Sequence, residues 1–308
     1  MKAFFKRSAA MILALLMVLG CMPALGENLE NTEVLPTMTP VTFPEGIEPL
    51  PIKEDMNYVP NPAGFGEDGL SYHDDSLDVR IYRIRAYDTP IAVAFVQIAH
   101  PSQFRTEQAR KYPSQATANA PDIARRVNAP FCTNADWFIY HNAGIIYRKG
   151  ELLRNRPNTD YDGLFVDVNG DFHIVAPLTE EGVNAIDQEI ITSFCFGPAL
   201  VIDGELCQVD RKPTYKQRTA IGQLGPCQYV LVATDGPKEK NSVGLTHQQI
   251  AQLMYDLGCV NAYNLDGGVS TTMLLNYEKI NGQKALRLRS VGDIVYFATA
   301  VPSTEEGK

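Results

Sequence analysis

The 308-residue chain carries 27 basic and 36 acidic side chains, with 45% hydrophobic and 20% charged residues. That is enough apolar side chain for a folded core. The acidic excess argues against nucleic acid or another polyanion as partner, since neither basic patch nor basic run is present. Six cysteines without CxxC spacing offer no zinc pattern.

The chain opens MKAFFKRSAAMILALLMVLG, with Lys2, Lys6 and Arg7 ahead of an apolar run from Ala9 to Leu19. This is the layout of a signal peptide over residues 1–26. The run falls short of the about 20 apolar residues a membrane helix needs, and no later stretch is longer, so no transmembrane segment is expected. Ala24-Leu25-Gly26 is a small-x-small cleavage site, whereas Val18 to Cys21 only loosely resembles a lipoprotein box that would acylate Cys21. The expectation is a secreted, extracellular protein cut after Gly26. Three basic residues leave with the signal, so 24 stand against 36 acidic ones, a formal charge of -12.

Residues 27–63 hold Pro36, Pro40, Pro44, Pro49, Pro51, Pro60 and Pro62 among acids and threonines, and read as an extended, mostly unpacked linker. Residues 64–302 have the length of one domain, with 303–308 a tail. LDVRIYRIRAY and IAVAFVQI read as strands around an Asp88-Thr89-Pro90 turn. LFVDV and FHIV flank Asn169-Gly170, a hairpin signal, and GIIYRKGELL and PALVIDGELC repeat the pattern around Gly150 and Gly204. Cys132 and Cys259 lie in apolar runs and read as buried thiols, a disulfide among the five later cysteines being the alternative.

One helix is expected over about Ala120 to Val127. A clearer one starts at Thr246, where Thr246 and Gln249 form a capping box, Leu245 can staple onto Ile250, and Ile250, Leu253, Met254 and Leu257 make an apolar face that Gly258 ends. This helix joins two apolar runs, YVLVATD and VNAYNLD, each reading as a strand buried on both faces. The expected fold class is mixed α/β (α+β), with hairpin-rich mixed sheets and a βαβ unit carrying the site. Strands so joined run the same way, and ligands bind beyond their carboxyl ends.

As neighbours, the two strands would bring Asp235 and Asp266 to one edge, where paired carboxylates divide acid and base roles. Asp266 is followed by Gly267 and Gly268, which allow close backbone approach, and by Ser270, Thr271 and Thr272, whose hydroxyls can line an anion or sugar site. An Asp-Gly pair can also be a plain strand-ending turn, a reading that fits Asp235 better than Asp266. Two carboxylates are compatible with a divalent cation, but the residues require no cofactor. Trp137 and Phe138 read as core. His141, just past the NADWF segment, is the one histidine expected near the site; a Ser270, His247, Asp235 triad can be written down, but His247, at a helix start, reads as lying at the far end of the crossover from Asp266.

AYNLDGGVSTTM resembles the signature of the phosphodiester glycosidase family. CTNADWF, FGPALVIDG, QRTAIG and ATDG with the following GLTHQQIAQLMYDLG resemble further motifs of that family, in order, over roughly Leu77 to Val301. The resemblance implies a glycosidase acting on a carbohydrate or sugar-phosphate substrate. It also implies a site gathered from Asn134, Arg218, Thr219, Asp235, Asn264, Asp266, Gly267, Gly268 and Ser270, with Arg218 forking two donors onto a phosphate and Asn134 and Asn264 binding sugar hydroxyls. The sequence departs from the pattern in three places. Asn134-Ala135-Asp136 replaces Asn-Gly-Gly and adds Asp136 to the presumed site, Pro237 stands where the family has an arginine, and Val269 replaces a third glycine. Two rival readings are a non-catalytic module that binds surface glycans through the same cleft, and a wall-modifying hydrolase with Ser270 as nucleophile.

Overall fold

The computed structural model describes residues 41–43, 45–54, 57–209, 212–282 and 288–302; the expected signal peptide and tail lie outside them. An eight-stranded sheet forms the centre, in the order Ser71–His73, Leu77–Ala86, Thr89–Ile98, Gln228–Thr234, Thr219–Gly225, Asn261–Asn264, Ala199–Ile202, Glu205–Leu206. A five-stranded sheet (Glu278–Lys279, Met273–Leu275, Phe131–Asn134, Asp293–Phe297, Phe104–Gln108) and a three-stranded one (Phe172–Val175, Gly163–Asp167, Ile190–Phe194) face it.

Period-two alternation divides the central strands between two cores. Val79, Ala94, Leu231, Ile221 and Tyr263 point toward the smaller sheets, meeting Phe131, Phe297, Leu164 and Phe194. Val93, Phe95, Val230, Val232, Ala220 and Ala262 point the other way, onto the helix His247–Asp256. That helix has the expected capping box, Thr246 accepting from Gln249 N and Gln249 from the Thr246 N–H, and it buries Ile250, Leu253 and Met254. A second helix, Ala120–Arg126, covers the outer face of the five-stranded sheet through Ile123 and Ala124.

The hairpins form where expected, with a shift in the first. Tyr87 and Asp88, at φ 51° and 54°, make its two-residue turn, and Thr89 and Pro90 already belong to the return strand. Lys149-Gly150 and Asp203-Gly204 turn with positive φ at both positions, as two-residue loops between twisted strands require. The segment read as an unpacked linker is partly docked: Leu50 is buried in the core beside Ala120–Arg126, its N–H donates to Ser102 Oγ at 3.0 Å, and Arg105 donates to the Pro51 carbonyl, also at 3.0 Å. All five described cysteines are free, and Cys132 and Cys259 are buried.

The main correction concerns the strand-helix-strand unit. Gln228–Thr234 and Asn261–Asn264 do run the same way but are not neighbours, because Thr219–Gly225 pairs antiparallel with both. The reason is occupancy. Gln228–Thr234 has its hairpin partner Thr219–Gly225 on one side and Thr89–Ile98 on the other, so the strand after the helix adds to the next free edge. No helix among the described residues is long and apolar enough to cross a membrane.

Leu253→Ala removes a fully buried face residue of the helix, and an expected loss of about 2–5 kcal/mol will appear as a lower urea midpoint with an unchanged slope. Thr246→Ala should lower the stability by about 1 kcal/mol, read the same way.

Candidate active site

Asp235, the start of the strand Thr219–Gly225, and Asp266 lie on one edge of the central sheet, the two acids two strand spacings apart, or about 9.6 Å of backbone. Asp266 is held from the facing sheet. Its N–H donates to Ala135 O at 3.0 Å and its carbonyl accepts from Asn134 Nδ2 at 2.6 Å. Asn134 Oδ1 in turn accepts from Thr219 Oγ1 and Thr272 N, both at 3.0 Å.

After Asp266 the chain turns over Gln217. A Cβ on Gly267 would stand 2.8 Å from the Gln217 carbonyl, so only glycine fits there. Gly268 sits at φ +61° and donates its N–H to that same carbonyl at 2.9 Å. The turn Gly268–Ser270 then brings the Ser270 hydroxyl onto the Asp266 carboxylate. Burial pushes the Asp266 carboxyl above the usual carboxylate range and the Asp136 charge adds to it, while Ser270, the Gly267 N–H and Arg289 oppose.

Asp235 has a different shell. Gly282 N donates to its Oδ1 at 2.7 Å. Burial raises this carboxyl too, with Glu239 adding, and the Gly282 amide, Lys279 and Arg83 pulling down. Glu239 accepts from Gly236 N at 2.9 Å, and Gln217 Nε2 donates to both of its carboxylate oxygens at 3.2 Å. Gln217 therefore lies under both Asp-Gly turns, its backbone serving one and its side chain the other. A cleft of about 270 Å³ opens beside Asp235, lined by Arg83, Pro90, Asn281 and Gly282.

Several residues singled out in the sequence have other partners. Arg218 is 4% exposed and projects onto the helix face of the sheet, where it donates to Leu245 O at 3.0 Å and Thr214 O at 2.7 Å and meets His247 Nε2 at 2.7 Å. Thr219 alternates to the opposite face. His247 is thus at the same edge as the acids, not the far one, because a crossover helix runs back against its strands and starts where the first strand ends. It nonetheless lies across the sheet from Thr219. Asn264 is buried and donates to Gly197 O and Leu265 O, and Asn134 is 1% exposed with its amide wholly engaged. Neither side chain is open to a sugar. Thr271 is buried beside Ser270. Among the described residues no group of three or more His, Cys, Asp or Glu side chains is placed to hold a metal ion.

Asp136, expected in the pocket, is 3% exposed and accepts from Trp137 N at 2.6 Å and Cys195 N at 2.7 Å. Its own N–H donates to Asp293 Oδ1 at 2.9 Å, and Asp293 Oδ2 accepts from Arg148 Nη2 at 2.6 Å in a pair sealed from solvent. Gln217, Glu239, Lys279, Arg148 and Asp293 were missed in the sequence. Glu239, four residues after Asp235, and Gln217, which opens the QRTAIG motif, carried a local signal; the others join the site from segments distant in sequence.

This turn of Asp266, Gly267 and Gly268 over a neighbouring strand, with Asn134 bridging from the second sheet, falls within residues 124–298, which match the phosphodiester glycosidase family. The chain belongs to that family. Its domain is of the glycosidase-type hydrolase kind, and a carbohydrate is the class of substrate the family implies. Among solved structures, the zebrafish N-acetylglucosamine-1-phosphodiester alpha-N-acetylglucosaminidase catalytic domain, auto-inhibited by its pro-peptide, is similar at 17% identity and a TM-score of 0.59, over 75% of this chain and 86% of that one. At that identity the likeness is one of fold. A hypothetical protein from Synechocystis (15% identity, TM-score 0.49, 73% of this chain and 62% of that one) and a putative exported protein from Burkholderia pseudomallei (15%, 0.45, 68% and 74%) also match. No curated protein matches the chain significantly.

Burial pushes the Asp293 carboxyl up to about 7, against the Arg148 ion pair. A carboxyl raised on folding binds a proton in the native state, so this group lowers stability as pH rises from the ordinary carboxylate range toward about 7. Arg148→Met should therefore destabilise by about 3–5 kcal/mol, more at about pH 8 than at about pH 5, where protonation relieves the stranded charge. Urea midpoints at the two pH values check the difference.

Proposed function

We propose that the chain is a secreted hydrolase that cleaves the glycosidic bond to phosphate of a sugar-1-phosphodiester, or a related exopolysaccharide or cell-wall linkage. The observation that carries this reading is the pair of acids, both raised by burial, on either side of Gln217 at one strand edge of a family domain. Asp266, enclosed by Ser270 and the Gly267 amide and within reach of the Asp136 charge, acts as the acid that protonates the departing oxygen. Asp235, attended by the Gly282 amide, Lys279 and Arg83, acts as the base that takes a proton from water attacking the anomeric carbon.

One intervening strand sets the two acids about 9.6 Å apart at the backbone, a spacing we read as that of an inverting pair with the water between its carboxyl groups. Arg218 faces the helix in this reading and braces the loop before it. Lys279 near Asp235 and Arg289, whose charge reaches Asp266 from farther away, supply the positive charge for the phosphoryl oxygens. Asn134, Thr219 and Asn264 position the two turns, and the Gly267 and Gly268 amides hold the turn itself, one on the Asp266 carboxylate and the other on the Gln217 carbonyl. The Ser270 nucleophile loses support, since its hydroxyl serves Asp266 and His247 lies on the other face of the sheet.

The test is hydrolysis of aryl and UDP-type sugar-1-phosphodiesters by the mature domain. Turnover is expected, with kcat falling about 10²–10⁴-fold in Asp266→Asn and an alkaline limb of kcat/KM lying above the ordinary carboxylate range. No turnover, together with glycan binding that survives Asp266→Asn, would instead favour a non-catalytic binding module. Covalent labelling of Ser270 by a fluorophosphonate would point to the serine mechanism.

A further inference from the structure

Beside the Asp266 turn, and unused by the chemistry above, five aromatic side chains touch one another without being fully buried. Trp137 lies tilted against Tyr140 with centroids 5.2 Å apart and against His141 at 6.2 Å, and Phe196 meets it edge-on at 6.3 Å. His141 and Tyr161 stack in parallel, 5.5 Å apart with 7° between their planes. Tyr140 is 42% exposed and the others are half-buried. Phe138, the residue after Trp137, turns inward and is sealed in the core. An apolar interior was thus within reach of this segment, yet Trp137 stays only half-buried.

Asp136 fixes where the rings stand. Its carboxylate holds the Trp137 N–H and the N–H of Cys195, the residue before Phe196, while its charge reaches both Asp266 and His141. The wall begins at the Asp266 site, because Ala135, two residues before Trp137, accepts the Asp266 N–H at 3.0 Å. The chain leads from its other end to a cleft of about 660 Å³ that the rings themselves do not line: Asn142, next to His141, and Asn158 and Thr159, shortly before Tyr161, line it with Arg156, Thr179 and Glu180. That volume suits a small-molecule site, for which about 300–1,000 Å³ is usual.

Ring faces followed by amide, hydroxyl and mixed-charge edges match a ligand that alternates C–H faces with hydroxyl rims. A pyranose ring has that form, its axial hydrogens lying against the negative face of an aromatic ring. Glu180 in the cleft and the chain's net charge of -9 disfavour a polyanion. We propose that the aromatic wall and the cleft form an extended glycan subsite, holding sugar units of an uncharged oligosaccharide beyond the one cleaved at Asp266. The placement of the scissile bond rests on the hydrolase reading; the binding does not.

Trp137 is the single tryptophan of the chain, so intrinsic tryptophan emission reports on this wall. The probes are N-acetylglucosamine, glucose and the hexamer of each, titrated into the full mature chain. At least one hexamer should change the emission and bind about tenfold or more tighter than its monomer. Tyr161→Ala and Arg156→Ala, the latter an exposed position that leaves the fold intact, should each weaken the hexamer about three- to tenfold. Emission unmoved by both hexamers, hexamers binding no tighter than monomers, or both variants binding as the parent does would overturn the subsite. Turnover of a sugar-1-phosphodiester by the same preparation separates the two readings. Turnover without hexamer binding removes the subsite and leaves the hydrolase, and hexamer binding without turnover does the reverse.

Discussion

The buried carboxamide of Asn134 joins two sheets at the point where the chemistry is placed. Its Nδ2 holds the Asp266 carbonyl and its Oδ1 gathers Thr219 Oγ1 and the Thr272 amide, so one side chain ties the strand Phe131–Asn134 to the central sheet and to both ends of the Gly-Gly turn. The bonds to Thr219 and Thr272 are buried and the one to Asp266 partly so, and leaving a buried partner unsatisfied costs about 1–3 kcal/mol. The orientation of Asp266 follows from this clamp, and with it the closure of Ser270 onto the carboxylate. An asparagine here does by hydrogen bonding what a strand ladder cannot do across a gap between sheets.

Gln217 extends the same frame to the second acid. Its carbonyl receives Gly268, and its side chain fills the space under Gly236 and binds Glu239. The antiparallel strand that begins just after it therefore separates the two acids while connecting their turns. Paired acids on adjacent parallel strands would crowd one another, whereas one intervening strand gives each its own shell. Asp266 then keeps a hydroxyl, an amide and a distant arginine, and Asp235 keeps an amide, a lysine and a second carboxylate.

Local signals in the sequence carried the turns, the capped helix and the Asp-Gly-Gly segment, because a capping box and a positive-φ turn depend on residues a few positions apart. Membership of the family was legible for the same reason, through short motifs in order. What could not be read was pairing. Nothing in VNAYNLD says that the edge beside YVLVATD is already filled on both sides, and nothing in QRTAIG says that Arg218 points to the helix while Thr219 points to Asn134. Asp136 looked like an added acid in the pocket, and only the facing amides of Trp137 and Cys195 reveal it as a brace. The apolar WF pair divided between surface and core, which alternation at a strand end does not decide.

The clamp is tested most directly by Asn134→Asp, which keeps the shape of the side chain and replaces the donor facing the Asp266 carbonyl with an acceptor. The measurement is amide hydrogen exchange resolved along the chain. The account predicts that protection is lost over residues 264–273 while the helix His247–Asp256 exchanges as slowly as before. Unchanged protection over 264–273 in a folded Asn134→Asp chain would contradict it.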